Sequence, residues 1–378
     1  MSKSLGNSVD PVEMIEKHGA DALRFSFLAH IHSGKDFKFS EQRTEGYRNF
    51  MNKIWNATRF ALGSLQDFKA PAEGELPAQE HLSPYDQWIL TKLGQVTTTV
   101  NEALEQHRFS DAASTLYSFV WYDFCDWYIE FCKPIFQSGK SDEQPQSGKS
   151  ENKKATQTVM AMVLNRVMRL LHPFAPFITE ELYQKLPIKG EACIVDQYPT
   201  ARKDKELLAL GSEQARVEVD MIKDVVSAIR NIRGENRISP AVKIKVRLTP
   251  SDDFAKKILE KHHASIMTMG RLESADIDAE GSLAKCAVTL CSSTHDGGSS
   301  TVKVIIPLEG LVDIEEEIKR IEKAIEKLDK DIKLLSGRLN NENFVKNAAE
   351  DVVEADRLLL HQAQTQVANM KESLARLK

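Results

Sequence analysis

Residues 312–378 carry the tightest constraint on what this chain can fold into. Ile314, Ile318, Ile321, Ile325, Leu328, Ile332, Leu335 and Leu339 step alternately by four and three. An apolar repeat of 3.5 residues keeps one seam of an α-helix against a partner helix; it does not fit a strand. A turn-rich stretch, "NNENFVKNAAED", comes next. The pattern then returns through Val353, Leu360, Ala363, Val367, Met370, Leu374 and Leu377, with Asp356 at a seam position where packing should be poorer. The return predicts an antiparallel coiled-coil hairpin whose first arm projects about 39 Å at 1.5 Å per residue. A coil between two chains is the alternative. Charge does not make the coil a nucleic-acid binder, since Asp313–Leu339 holds eight acids and seven bases.

Upstream the texture is helical. Asp10, Pro11 and Glu13 form a helix-start signal, and Gly19 separates two runs. Tyr47, Phe50, Met51, Ile54 and Trp55 form an apolar stripe continued by Phe60 and Leu62. Long helices are expected over about 85–106 and 110–136, the second strongly aromatic. "QSGKSDEQPQSGKSENKK" is polar and repetitive and reads as a flexible insertion over 137–154. Its "GKS" lacks the glycine five residues earlier that a phosphate-binding loop needs. Helix returns to Leu186, broken at His172-Pro173, and a further helix spans about 211–233. "VKIKVRLTP", "AKCAVTLCSS" and "TVKVIIPLEG" alternate like strands around the helical "DFAKKILEKHHASIMTMG". The fold expected is mainly α: a helical bundle over 34–234, a small α+β unit over 235–311 and the hairpin over 312–378, after an opening segment 1–33.

Several chemistries are excluded or weak. No run of eighteen apolar residues is present, and the N-terminus has no signal-like apolar core. A cytoplasmic location is expected. Five cysteines, an odd number without Cys-x-x-Cys spacing, argue against a disulfide framework or structural zinc. His262-His263 point about 100° apart on a helix and lack a third ligand, so no metal site is expected. His172, among apolar neighbours, reads as structural. The net charge of −5 leaves room for a local basic face. Arg43, Arg48, Lys53, Arg59, Arg166 and Arg169 supply phosphate-binding charge on the bundle, with Asn49, Asn52 and Asn56 offering base-edge hydrogen bonds. Arg230, Arg233, Arg237, Lys243, Lys245 and Arg247 are a second concentration. Near the start, Lys3 between Ser2 and Ser4 has the composition of a mobile, phosphate-neutralising loop.

These segments resemble the class I aminoacyl-tRNA synthetases. "MSKSLGN" is similar to the end of their Lys-Met-Ser-Lys-Ser signature, and "SVDPVEMIEKHGADALRFSFL" resembles the segment just after it. "RTEGYRNFMNKIWNATRF", "FVWYDFCDWYIEFCKP" and "LLHPFAPFITEELYQKLP" resemble the anticodon-binding bundle of the valyl-tRNA synthetases, and the closing hairpin resembles their C-terminal coiled coil. Isoleucyl enzymes share the early motif but usually carry C-terminal cysteine pairs for zinc, absent here. The first lysine of the signature is missing, and Ala348-Ala349 stands where the family often has Ala-Pro.

The resemblance implies a C-terminal part of a valine–tRNA ligase. It implies that Lys3 stabilises the phosphates of ATP during adenylate formation, with Ser2 and Ser4 supporting the loop and Mg2+ in the complete enzyme. Residues 8–33 would join a catalytic domain to the bundle, which would hold the anticodon stem and loop. The coil would reach the outer corner of the tRNA. The partners implied are tRNA(Val) and an N-terminal catalytic half in cis or trans, in a monomer, and the chain alone is expected to be inactive. A stand-alone tRNA-binding module, half of a split synthetase, and a coiled-coil scaffold without an RNA role remain open alternatives.

Overall fold

The computed structural model describes residues 9–31, 39–72, 74–137, 147–278, 283–295, 297–341, 345–346 and 350–377. The chain divides into two compact units, Met1–Val219 and Asp220–Lys378. The boundary falls inside a helix that the sequence assigned to the bundle alone. No helix among the described residues is long and apolar enough to cross a membrane.

The first unit is helical. Helix α1 (Pro11–His18) starts where the Asp10 carboxylate accepts from the Val12 N–H at 2.9 Å. Gly19, at φ +90°, ends α1 and leads into α2 (Ala20–Leu28). That conformation is cheap only for glycine. Phe25 of α2 is fully buried, with its ring 5.4 Å from Phe50 and 6.0 Å from Phe174. Asp21, also buried, accepts from the Phe177 and Ile178 N–H groups at 3.2 and 2.7 Å. Those donors belong to the first turn of α8 (Pro176–Tyr183), where unpaired N–H groups favour an anion.

Helix α3 (Glu41–Ser64) buries Phe50, Met51, Ile54, Ala57, Thr58 and Ala61. Trp55 and Phe60, read as part of that stripe, are exposed at 40% and 37%. A helix turns about 100° per residue, so Trp55 cannot share the buried arc centred on Ile54, Ala57 and Ala61.

Helix α4 (Pro84–Glu105) begins with a reciprocal cap: the Asp86 N–H donates to Ser83 Oγ at 3.1 Å, and the Ser83 N–H donates to Asp86 Oδ2 at 2.9 Å. The Asp86 carboxylate is fully buried and also accepts from Ser83 Oγ, Tyr128 and Thr156 at 2.6–2.8 Å. Burial pushes its carboxyl above the usual range, against the pull of these donors. Tyr128 ends a π-helical segment, Phe119–Tyr128, set between α5 (Phe109–Ser118) and α6 (Ile129–Gln137). Thr156 lies on α7 (Ser147–Leu171). The proposed flexible insertion therefore ends earlier than its polar composition suggests. Residues 147–154 are helical, and Lys153 is tied to Asp67 at 2.6 Å; residues 138–146 lie outside the described part. Short α9 (Lys205–Leu208) and then α10 (Glu213–Glu235) complete the helical series.

The second unit, which takes the end of α10, carries a sheet of order β2-β1-β4-β3. Its strands are β1 (Ile244–Pro250), β2 (Leu272–Ile277), β3 (Cys286–His295) and β4 (Gly298–Pro307). β1 and β2 are parallel, joined by α11 (Asp253–Lys261) and α12 (His263–Gly270), as a parallel pair requires a crossover. β4 is antiparallel to both β1 and β3. The central strands supply the core through Val246, Leu248, Val304 and Ile306, all fully buried.

Helices α13 (Ile314–Leu339) and α14 (Glu350–Leu377) pack against each other as a hairpin within one chain. Ile321, Ile325, Val353, Ala363, Val367 and Leu377 are buried along the expected seam. Asp356 is buried too, and Arg338 of the opposite helix lies 3.3 Å from it, so a charge pair stands at this seam position. Ala348-Ala349 lie outside the described residues.

The Asp86 cluster has a measurable weight. Replacing Asp86 with alanine leaves buried donors from three helical segments unsatisfied and is expected to cost about 2–4 kcal/mol. Urea unfolding of the full chain measures this; a loss within about 0.5 kcal/mol would mean the cluster is incidental.

Candidate nucleic-acid interface

Helix α3 presents Arg48, Asn52, Asn56 and Arg59 at steps of four, four and three, all exposed, with Asn49 exposed beside them; Arg43 is exposed too, but half a turn round the helix from Asn52. The burial of Phe50, Ile54 and Ala57 on the other side fixes this orientation. Guanidinium groups on such a face can take phosphate oxygens, and the amides can take base edges.

Two clefts border α3, and the row opens onto the first. One, of about 410 Å³, sets Arg48 and Asn52 against the α1–α2 turn at Lys17, His18 and Gly19. The other, of about 320 Å³, sets Arg43 beside His30, Tyr47 and Tyr117. Tyr117 stacks on Trp121 with ring centres 5.4 Å apart, and exposed Tyr122 meets Tyr117 edge-on at 6.4 Å. Trp121 and Tyr122 lie on the π-helical segment, a rare geometry often found at functional sites. Partly exposed rings beside cations are the elements of a base-stacking surface. None of these rings was among the site residues expected from the sequence, although the aromatic run itself was plain. An aromatic helix reads first as core, and only the packing shows which rings reach the surface.

Three of the expected cations are occupied in the fold. Lys53 is half-buried, paired with Asp126 at 2.5 Å and lying 3.9 Å over the Trp121 ring. Arg166 donates through Nε and Nη2 to buried Asp204 at 3.1 and 3.0 Å. Arg169 donates to Asn165 at 3.0 Å and lies 3.4 Å from Asp196. Ser2, Lys3 and Ser4 lie outside the described residues.

One trio with metal-ligating chemistry does stand together. The ligand atoms of His172, Glu180 and Cys193 lie within 4.8 Å of one another. The His172 ring shares a 2.8 Å hydrogen bond with Thr179 through Nδ1. Because the Thr179 hydroxyl already donates to the Ala175 carbonyl, it accepts here, which assigns the proton to Nδ1. Burial lowers the His172 pKa, keeping the ring neutral. Burial raises the Glu180 carboxyl, but donors from Gln184 and the backbone N–H groups of Cys193 and Ile194 outweigh it and hold it low. Glu180 thereby braces the turn after α8. Burial pushes the Cys193 thiol up to about 12, and the Cys125 thiol likewise to about 12. His263 donates through Nε2 to the Ala275 carbonyl, 2.9 Å away, while His262 is buried.

Thiols titrating this high are almost wholly protonated at pH 8, so Cys125 and Cys193 should react with Ellman's reagent on the order of a thousandfold more slowly than after denaturation. Fast labelling of either in the native chain would contradict the packing described.

Three stretches of the chain match known families. Residues 1–40 match the family model for class I tRNA synthetases (I, L, M and V). Residues 86–248 match the anticodon-binding domain of tRNA ligase, and residues 313–378 match the valyl tRNA synthetase tRNA binding arm. A valine–tRNA ligase of Bdellovibrio bacteriovorus is 63% identical over the whole chain, which covers 41% of that protein. The Aquifex aeolicus enzyme is 35% identical over the whole chain, which covers 31% of it. The Geobacter sulfurreducens enzyme is 39% identical over 94% of the chain and is covered to 38%. The chain thus spans between about a third and two-fifths of the length of these relatives. Among solved structures, an Agrobacterium radiobacter K84 LeuRS-tRNA-LeuAMS complex matches 54% of the chain at 22% identity and a TM-score of 0.39, below what a shared fold requires.

Proposed function

We propose that this chain, homologous along its whole length to the C-terminal region of valine–tRNA ligases, is the tRNA-holding part of such an enzyme. The observation that carries the reading is the order of three matches along one chain: class I synthetase, anticodon-binding domain, tRNA-binding arm. The exposed arginine and asparagine row on α3, flanked by the Tyr117–Trp121 stack, supports it with surface chemistry suited to a single-stranded loop.

In this reading the complete enzyme joins valine to tRNA(Val) through an adenylate, using ATP with Mg2+, in the cytoplasm and as a monomer. Lys3, with Ser2 and Ser4 beside it, neutralises ATP phosphates as charge builds during adenylate formation. The N-terminal catalytic half is supplied in cis or in trans. Arg43, Arg48, Asn52, Asn56 and Arg59 contact the tRNA. Lys53, Arg166 and Arg169 hold the bundle that presents them and touch RNA less, because their charges are already matched by Asp126, Asp204 and Asp196.

A gel-shift titration with tRNA(Val) over a range of salt concentrations tests this. The wild-type chain should bind saturably and lose affinity as salt rises. Arg48→Ala and Arg59→Ala should each weaken binding and flatten the salt slope by about one. Unchanged affinity in both variants would move the site off α3, and no binding at low salt would refute the reading itself.

A further inference from the structure

Three side chains with metal-ligating atoms meet in the first unit although they come from different elements. His172 follows the end of α7, Glu180 lies on α8 and Cys193 on the turn after it. Their ligand atoms lie within 4.8 Å of one another. Ligands bound to one tetrahedral Zn2+ at about 2.0–2.3 Å stand roughly 3.3–3.8 Å apart, so the widest pair need close by only about 1 Å. No metal site was legible from sequence spacing, because the three residues share no motif and meet only in the fold.

Each group has electrons to offer. The His172 Nδ1–H donates to Thr179 Oγ1 at 2.8 Å, which leaves the Nε2 lone pair unprotonated. That Nε2 is shielded from solvent and has no hydrogen-bond partner among the described residues. A buried polar atom left in this way calls for a partner, an ion or a water. Metal-ligating histidines are held just so, through the other ring nitrogen. Glu180 Oε1 accepts from Gln184 Nε2 and the Cys193 N–H at 2.7 and 3.2 Å. Among the described residues Oε2 accepts only from the Ile194 N–H, at 3.3 Å, so it keeps a lone pair. Cys193 is buried, with its thiol free of any disulfide.

The frame around the trio is already fixed. The Tyr183 hydroxyl donates to Asp196 and accepts from the Gly190 N–H at 2.6 Å, while Asn165 donates to the Ile188 carbonyl at 3.1 Å. These bonds, with those to Glu180, pin the segment that carries Cys193 on both sides. The nearby charges do not oppose a cation. Arg169 is matched by Asp196 at 3.4 Å, and the carboxylates of Glu180 and Asp21 both act on the His172 ring. A nitrogen, an oxygen and a sulfur donor together suit Zn2+, whereas Mg2+ and Ca2+ take oxygen ligands and would not use the thiol.

We propose that His172 Nε2, Glu180 Oε2 and Cys193 Sγ bind one Zn2+, with water in the fourth position, and so tie the end of α7 to the turn after α8. As the metal–sulfur bond forms, the thiol proton leaves to solvent. The site uses none of the α3 residues and does not rest on the tRNA reading.

The test takes the full chain, stripped with a chelator, and titrates it with Co2+ and then Zn2+. Cobalt reports a thiolate ligand through its charge-transfer absorption in the near ultraviolet. The wild type should bind about one Co2+ per chain with that band, and Zn2+ should displace it and raise the melting temperature by a few degrees. Cys193→Ser should abolish the band, and both it and His172→Gln should weaken Zn2+ binding by at least about tenfold. Cys291→Ser, which removes the part-exposed thiol of β3, should leave band and affinity unchanged. A wild type without the band overturns the inference whatever the variants do, and so does a band that survives Cys193→Ser or disappears in Cys291→Ser. No RNA enters the measurement, so its failure leaves the tRNA reading standing.

Discussion

The first unit depends on one buried carboxylate. Asp86 closes the cap of α4, takes the Tyr128 hydroxyl from the end of the π-helical segment, and takes the Thr156 hydroxyl from α7. A buried carboxylate is tolerable only with its lone pairs filled, so each donor must arrive from its own helix at hydrogen-bond distance. That requirement sets the rotation of the π-helical segment about its axis. Tyr128 points inward, and with it the wider π spacing carries Trp121 and Tyr122 towards the surface. α3 packs on the same segment through Phe50, whose ring lies 6.2 Å from Trp121. The arginine row and the aromatic stack are therefore held by a polar node that contacts neither of them.

How much of this was legible in the sequence depends on how local each signal is. The hairpin is written in a repeat of 3.5 residues, and its seam could be read residue by residue. The Asp10 start of α1, the π-bearing aromatic helix and the strands β1, β3 and β4 are similarly local. β2 was missed because "LESADI" is short, carries two acids and buries only Leu272 and Ala275. It is a strand because β1 offers it a parallel edge, and that partner is remote in sequence. Asp356 was legible as an exception in the seam, while its answer, Arg338, could be known only from the register of the folded hairpin.

The candidate interface shows the same limit. Residue type told which side chains can meet RNA, but not which are already engaged. Arg166 and Asp204 are 38 positions apart, and Lys53 and Asp126 are 73 apart. No pattern in the chain links either pair. Arg48, Asn52, Asn56 and Arg59 stay on the surface because their spacing places them opposite the buried arc of one helix, a fact available from periodicity alone.

A net charge of −5 conceals this distribution. Along α13 acids and bases nearly cancel, and pairs such as Glu326–Lys330 at 2.9 Å are fully solvated, worth little to stability or to a ligand. In the bundle, Arg166 and Arg169 each meet an aspartate. At the end of α10, buried Arg233 is held instead by the carbonyls of Ser239, Val242 and Arg271. A buried guanidinium is thus held by carbonyl dipoles as well as by a carboxylate, while Arg237 and Arg271 beside it are exposed and screened by water.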